Sequence, residues 1–308
     1  MRLFITGISG LLGLNTAMAA RDRFEVSGCF LSHPVAAEGM RAYQADVRAV
    51  DAVADVLEPA RPDVVIHTVG MSNVDACEVD PGLALDVNVS AARGVAEVTR
   101  ALGARLVHIS TDHLFDGQGA WKTETDPLAP LNTYAKTKGE AEQVVLEAHP
   151  DALVIRTNFY GWGTSVRTSF SDWIIRALAQ EAELTMFNDV FFTPILVNDL
   201  IEAIFALLAQ EATGLFHLAG SERLSKYDFA VRMAETFGRP TARVRSVSAA
   251  AVPLRARRPL DMSLSCAKAE VLLGRKMPAA IRGLQRLKEL ERCGWPRLLQ
   301  RAIDAGRG

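Results

Sequence analysis

"RLFITGISGLLGLN", residues 2–15, decides the fold. Its first five residues hold the apolar run Leu3-Phe4-Ile5, as a strand buried on both faces requires. Gly7, Gly10 and Gly13 follow at three-residue intervals, with Ile8, Ser9, Leu11 and Leu12 between them, and a helical pattern runs over 12–22. Glycines at a strand-to-helix turn let the backbone bend tightly and let a pyrophosphate come close. The helix N-terminus then offers free N–H groups to that anion. A glycine triplet alone makes a tight turn with or without a ligand. Its place between an N-terminal strand and a helix favours a dinucleotide loop.

Outward from this loop, apolar runs at 24–30, 63–69, 104–111 and 152–158 read as further strands. Helical patterns lie between them, within 44–62 and over 80–103 and 133–149, with Pro81 in the first turn of the second and Gly103 past its end. This alternation predicts an α/β fold, a doubly wound, Rossmann-like parallel sheet. Helical patterns dominate the second half, at 170–180, 197–210, 225–238 and 279–294, with a short strand at 214–220. The expected organisation is a dinucleotide-binding domain over 1–160 and a smaller, mostly helical substrate lobe over 161–308, in which segments such as 192–212 can pack back on the first. The basic, irregular stretch 238–259 reads as a surface linker or as a loop across a cleft mouth. The C-terminal basic amphipathic stretch reads as a cap on the second lobe or as a homodimer contact.

Bulk properties narrow the function classes. The 308 residues are 49% hydrophobic and 23% charged, with a formal net charge of -2. That balance gives no electrostatic case for nucleic acid or an anionic membrane as partner. Four cysteines without a CxxC pair read as reduced thiols, and His67, His108, His149 and His217 have no metal-ligand spacing, so no metal is expected. The N-terminal apolar run is short and broken by glycines, which argues against a signal sequence, and no run suits a membrane span; a cytoplasmic location is the expectation.

A ribose-reading acid is expected after the second strand in an NAD site. That place holds Phe30-Leu31-Ser32-His33-Pro34, with no Asp or Glu. The missing carboxylate removes repulsion against a 2′-phosphate, and Ser32 and His33 are candidates to bind one. NADP(H) is therefore favoured, with NAD(H) left open. Asp46, with Val47 beside it, falls where an aspartate could accept from the adenine amino group or cap the following helix.

Downstream, "STDHLFDG" (110–117) is followed by "NTYAKTKGEAE" (132–142). Tyr134 and Lys138 are four apart on a helical pattern and share a face. A nearby ammonium favours the phenolate, so Lys138 is expected to lower the Tyr134 pKa, and Tyr134 could then exchange a proton at neutral pH. Thr111 ends a strand and could bond the same substrate oxygen. YxxxK also occurs as a solvated pair on many helices; the order of dinucleotide loop, strand-end threonine and Tyr–Lys helix raises its weight.

With these motifs in place the chain resembles an extended short-chain dehydrogenase/reductase, through the GxxGxxG spacing at 7–13, "VNV" at 87–89, "STDHLFDG" and "YAKTK". More narrowly it resembles the dTDP-4-dehydrorhamnose reductase family of sugar-nucleotide reductases, through 73–89, 110–117, 130–142, 192–200 and 214–230. The resemblance implies that Thr111, Tyr134 and Lys138 are catalytic and that Lys138 also binds the nicotinamide ribose. It implies that Asn88 supports the active-site backbone. The loop 67–73 would line the cofactor, through His67, Thr68, Val69 and Gly70, with later residues reaching the substrate. Candidate substrate-binding residues are Met71, Asn73, Asp112, His113, Asn158, Phe192 and Arg258; for Met71 and Phe192 packing is the competing reading, and for Arg258 a solvated loop position. His113 and Leu114 stand where the family has Tyr and Val, so His113 reads as a substrate contact, a second proton donor or a packed strand-end imidazole. Of Phe159, Tyr160 and Trp162, stacking on a ligand ring competes with core packing.

The expected function is NADP(H)-dependent reduction of a nucleotide-linked 4-keto-6-deoxy sugar. Two rival readings share the scaffold. One is an NAD-dependent nucleotide-sugar epimerase or dehydratase. The other is a non-catalytic dinucleotide-binding subunit like the beta subunit of methionine adenosyltransferase.

Overall fold

Strand β1 (Arg2–Thr6) is the centre of the computed structural model, which describes residues 1–253 and 255–307. With β2 (Glu25–Phe30), β3 (Met40–Gln44), β4 (Val64–His67), β5 (Arg105–Ile109), β6 (Leu153–Arg156) and β7 (Gly214–His217) it forms one seven-stranded sheet in the order β7-β6-β5-β4-β1-β2-β3. Every neighbouring pair is parallel. The chain builds outward from β1 to β3, then returns to β4 on the other side. The crevice at that reversal, beyond the C-terminal ends of β1 and β4, is where such sheets hold ligands.

Alternate side chains of the central strands enter two separate cores. Leu3 and Ile5 join Val64 and Ile66 on one face, against Leu14 and Met18 of helix α1 (Leu11–Ala20) and Leu200 and Ile204 of helix Val197–Ala209. Phe4 joins Val65 and Leu106 on the other, against α2 (Val50–Ala60), α3 (Ala91–Ala101) and α4 (Thr133–Ala148). Two buried faces explain why the middles of these strands are apolar. No helix among the described residues is long and apolar enough to cross a membrane.

Three elements differ from the expectations. Strand β3 is half-exposed at the sheet edge, so "MRAYQ" has no apolar run to announce it. The helix expected over 80–103 is broken: Asp80 caps Pro81–Leu85, a π-helical turn occupies Asp86–Ser90, and α3 follows. The C-terminal stretch is two helices, Ala280–Arg292 and Trp295–Arg307, turned at Gly294 with φ 80°.

The return of the second half to the first is larger than a division at residue 160 suggests. Strand β7 extends the main sheet. The last helix lies on α1 and on the loop after β2: Trp295 Nε1 donates to Asn15 Oδ1 at 2.8 Å, and the Ala36 amide donates to the Ala302 carbonyl at 2.8 Å. What remains apart is a small region of short ribbons, including Phe191–Phe192 with Leu224–Ser225 and Leu184–Phe187 with Val244–Val247. The segment 238–259 is not a free linker. Its described residues pair with Leu184–Phe187, donate to Asp189 through the Ala249 amide, and reach Asp75 through the Ala256 amide and Arg258.

Candidate active site

The glycine turn is built for close approach. Gly7 has φ 73°, and its amide donates to the Cys29 carbonyl at 2.9 Å. A Cβ on Gly13 would lie 2.2 Å from the Gly7 carbonyl oxygen, so helix α1 can meet the turn only with glycine there. Gly10 caps α1 without a side-chain bond, and no acid sits in the first turn. The helix N-terminus thus keeps its positive end and free amides.

A cavity of about 540 Å³ opens over this turn. Gly7, Ser9, Gly10, Leu11 and Leu12 line it from the turn, and Ser32 and His33 from the loop after β2. Thr68, Val69 and Gly70 line it beyond β4, and Tyr134 and Lys138 from α4. Gly13 lies beneath as the packing contact. A neighbouring cavity of about 300 Å³, between the ends of β2 and β3, is lined by Asp46, Val47 and Arg48 and shares Gly7, Leu31 and Val69 with the first. Asp46 does not cap α2, whose N-cap is Ala49; its carboxylate accepts from Arg48 Nε at 2.9 and 3.0 Å, which holds it below the usual carboxylate range.

His67 is not a cavity residue. Its ring is buried in the sheet, bonded through Nδ1 to Thr6 Oγ1 at 2.7 Å, and burial pushes its pKa down to about 3. The strand's buried end, not its loop, claims that side chain. Asn88 sits in the π-helical turn. Its Oδ1 accepts from the Met71 amide at 2.8 Å and its Nδ2 donates to Thr137 Oγ1 at 3.0 Å, so it props the loop after β4 without lining the cavity. Neither Met71 nor Asn73 lines these cavities. Met71 is held by its backbone, and Asn73 caps helix Val74–Val79 by accepting from the Ala76 amide at 3.0 Å.

Helix α4 is capped by Asn132, which fixes Tyr134 in its first turn and Lys138 one turn later. Burial pushes Tyr134 up to about 12, with the adjacent Thr111 hydroxyl acting the other way and Asp112 and Cys77 adding to the rise. Lys138 is not among the groups that shift it, contrary to the sequence expectation; burial dominates. Burial also lowers Lys138, to about 8, with Glu142 favouring its charged form. Its Nζ donates to the Ile109 carbonyl at 2.8 Å. Thr111 is buried just past β5, beside Tyr134; its Oγ1 donates to Asp112 Oδ1 at 3.3 Å and accepts from the His113 amide at 3.3 Å.

A second cavity, of about 360 Å³, lies on the far side of His113 and is lined by His113, Lys226, Arg258 and the aromatic Phe170, Trp173 and Phe187. Phe170 lines both this cavity and the first, so the two adjoin. The His113 ring meets Tyr134 edge-on at 5.6 Å, and burial, Lys226 and Arg258 push its pKa down to about 3. It is a neutral imidazole, which removes it as a proton donor in its charged form. Asp112 is buried behind it and accepts from Asn158 Nδ2 at 2.6 Å. Burial raises Asp112 to about 6. That pair is internal and touches neither cavity. Phe192 is also packing: its ring lies 3.3 Å under Lys226 Nζ. Arg258 lines the cavity while donating to Asp75 at 2.8 Å.

Lys226 and Arg167 are among the site residues that escaped the sequence reading. Lys226 opens helix Lys226–Thr236 behind a Ser225–Asp228 capping box, a pattern visible as "SKYD". Arg167 lines the first cavity and donates to Ser72 Oγ at 2.7 Å, joining the loops after β6 and β4. Nothing in an isolated arginine flags that reach. Phe159 lines the first cavity, whereas Tyr160 packs on Phe229 and Trp162 Nε1 donates to the Leu287 carbonyl in the core. Among the described residues no cluster of His, Cys, Asp and Glu is placed to hold a metal.

Comparison with known proteins establishes the family. The chain is 34% identical over 272 residues to dTDP-4-dehydrorhamnose reductase of Mycobacterium tuberculosis, covering 86% of this chain and 84% of that one. It is 31% identical over 304 residues to methionine adenosyltransferase 2 subunit beta of Rattus norvegicus, covering 91% and 85%. The crystal structure of dTDP-4-dehydrorhamnose reductase from Bacillus anthracis in complex with NADP superposes with a TM-score of 0.83 at 26% identity, over 94% of this chain and 98% of that one. The family described as RmlD substrate binding domain matches residues 1–291, and the chain belongs to that family.

Proposed function

We propose that this protein is an NADP(H)-preferring reductase of a nucleotide-linked 4-keto-6-deoxy sugar, with Tyr134 as the proton donor. The observation that carries the reading is the placement of Tyr134 and Lys138 in the cavity above the glycine turn, with the His113 ring, which lines the second cavity, edge-on to Tyr134.

The residues present fit a dinucleotide. The free N-terminus of α1 and the glycine turn suit a pyrophosphate, and the smaller cavity at Asp46, Val47 and Arg48 suits an adenine ring. Ser32 and His33, with no carboxylate at the end of β2, suit a 2′-phosphate better than a bare ribose diol. Lys138 would hold a nicotinamide ribose hydroxyl. When bound, the nicotinamide supplies the hydride.

The chain's own residues handle the proton. Tyr134 keeps its hydroxyl hydrogen at neutral pH, since burial holds its pKa at about 12, and it is therefore in the form a donor needs. Thr111 stands beside the phenol and is the residue assigned to orient the substrate carbonyl. His113, neutral, can accept or donate a single hydrogen bond to a sugar hydroxyl. Lys226 and Arg258 supply positive charge to the second cavity, which suits the diphosphate of a nucleotide sugar.

The test is a panel of dTDP-, GDP-, UDP- and CDP-linked 4-ketosugars with NADPH and NADH, followed by loss of reduced-nicotinamide absorbance. Turnover on at least one, faster with NADPH, is expected. Likeness to the methionine adenosyltransferase beta subunit supports a second reading, a dinucleotide-binding regulatory subunit. Binding of NADP(H) with no oxidation on any ketosugar, and copurification with a larger enzyme, would favour it.

A further inference from the structure

Beneath the cofactor cavity a polar row crosses the centre of the sheet. Thr6, His67 and His108 are register partners on β1, β4 and β5. Each is no more than 1% exposed. Thr6 Oγ1 meets His67 Nδ1 at 2.7 Å, and the two imidazole rings stack with centroids 5.4 Å apart. Nε2 of His67 and Nδ1 of His108 have no partner among the described residues. A buried polar atom left unpaired costs about 1–3 kcal/mol, so packing alone favours apolar side chains at these positions. The row ends on Lys138, whose Nζ lies 3.3 Å from His108 Nε2.

We infer that His108 is a positioning residue for Lys138: its neutral imidazole accepts from the ammonium and leaves the lysine one N–H for the cavity above. The donor count supports this. An ammonium has three N–H donors and no acceptor. One goes to the Ile109 carbonyl, and one to His108 Nε2. The third remains on the side where Lys138 lines the cavity. Since Lys138 can only donate, His108 carries its own proton on Nδ1. Burial and the Lys138 charge hold His108 well below the ordinary histidine range, so it stays an acceptor through the physiological span. The other groups around Lys138 are Glu142 and Tyr134, one turn away on α4, and His67 behind His108. Glu142 is held by Arg156, which leaves His108 as the side-chain acceptor that touches the ammonium.

The consequence for dinucleotide binding rests on the proposed function, but the hydrogen bond can be tested without a cofactor. The Lys138 ammonium is followed by NMR of lysine labelled with carbon-13 at Cε, assigned with Lys138→Met, in the ligand-free protein. An acceptor favours the charged form, so His108→Leu is expected to move the titration down from about 8 by roughly one unit. His108→Gln, whose amide oxygen can accept, is expected to restore most of it. His108→Phe keeps a ring without an acceptor and replaces the leucine variant if that one fails to fold. A titration left in place by folded Leu or Phe variants, or shifted equally by Gln, would reduce His108 to a packing residue and overturn the inference. NADP(H) affinity, measured separately by its fluorescence, should fall about tenfold in Leu and recover in Gln, as loss of one charged hydrogen bond implies. Wild-type protein that shows the titration effect yet binds no dinucleotide would sink the functional reading and leave the positioning role standing.

Discussion

Arg156 grips Glu142 inside the protein, with Nε 2.9 Å from Oε1 and Nη2 2.7 Å from Oε2, and both side chains are about 95% buried. This fork ties α4, which carries Tyr134 and Lys138, to strand β6. Removing one partner strands a buried charge. Glu142→Gln is expected to lower stability by about 3–5 kcal/mol in urea unfolding. On the same helix, the exposed pair Arg93–Glu147 at 3.2 Å gives the contrast, and Glu147→Gln should cost under about 1 kcal/mol. Equal effects would mean that the buried fork does not secure the helix.

The glycine turn makes a sharper claim about ligand binding. Gly13→Ala puts a methyl group into the Gly7 carbonyl, and the turn must shift to accept it. NADP(H) affinity measured by calorimetry is expected to fall at least a hundredfold, since both floor and helix end are displaced. Gly119 is the control: it has φ 76° with open space around it, so Gly119→Ala should cost about 1 kcal/mol of stability and leave affinity alone.

Asp112 gives a pH signature. Its pKa is raised from 3.8 to about 6 on folding, chiefly by burial. The native state therefore holds the proton more tightly than the unfolded chain. The stability this group contributes is full below 3.8 and is lost as pH rises through about 6, up to roughly 3 kcal/mol. Asp112→Asn should remove that fall, so the two proteins diverge in thermal stability across this window and run parallel above it. Parallel curves throughout would show that Asp112 ionises normally.

Lys226 separates the two cavities functionally. It lines only the second, and burial lowers its pKa to about 8. Lys226→Met is expected to raise KM for a nucleotide sugar about tenfold and leave NADPH affinity unchanged, as loss of one half-buried cation facing a diphosphate would do. In wild type, KM should climb as pH rises through about 8, where Lys226 loses its proton. A shift in cofactor affinity instead would place the lysine in the wrong site.

The parallel sheet and the glycine turn were legible because their residues obey one local rule each. Two-sided burial makes Leu3, Phe4 and Ile5 all apolar, and close packing demands Gly13. Tyr134 and Lys138 were legible because helical spacing alone puts them on one face. What escaped depends on tertiary surroundings. The edge position of β3 leaves it no apolar pattern. His67 looks like a loop residue until the register with Thr6 draws it into the sheet. Asp46 and Asn73 are spent on local partners, Arg48 and the Ala76 amide, that no spacing rule announced. The Tyr134 pKa ran opposite to expectation because spacing reveals a neighbouring charge but not the depth of burial, and here burial dominates.

The most direct test of the account is Tyr134→Phe, which deletes one oxygen from a half-buried ring. NADPH affinity and thermal stability should stay near wild type, while turnover on the best ketosugar of the panel falls at least a hundredfold, the scale of a lost general acid. Turnover within a fewfold of wild type, with NADPH still bound, would contradict the assignment of the proton to Tyr134.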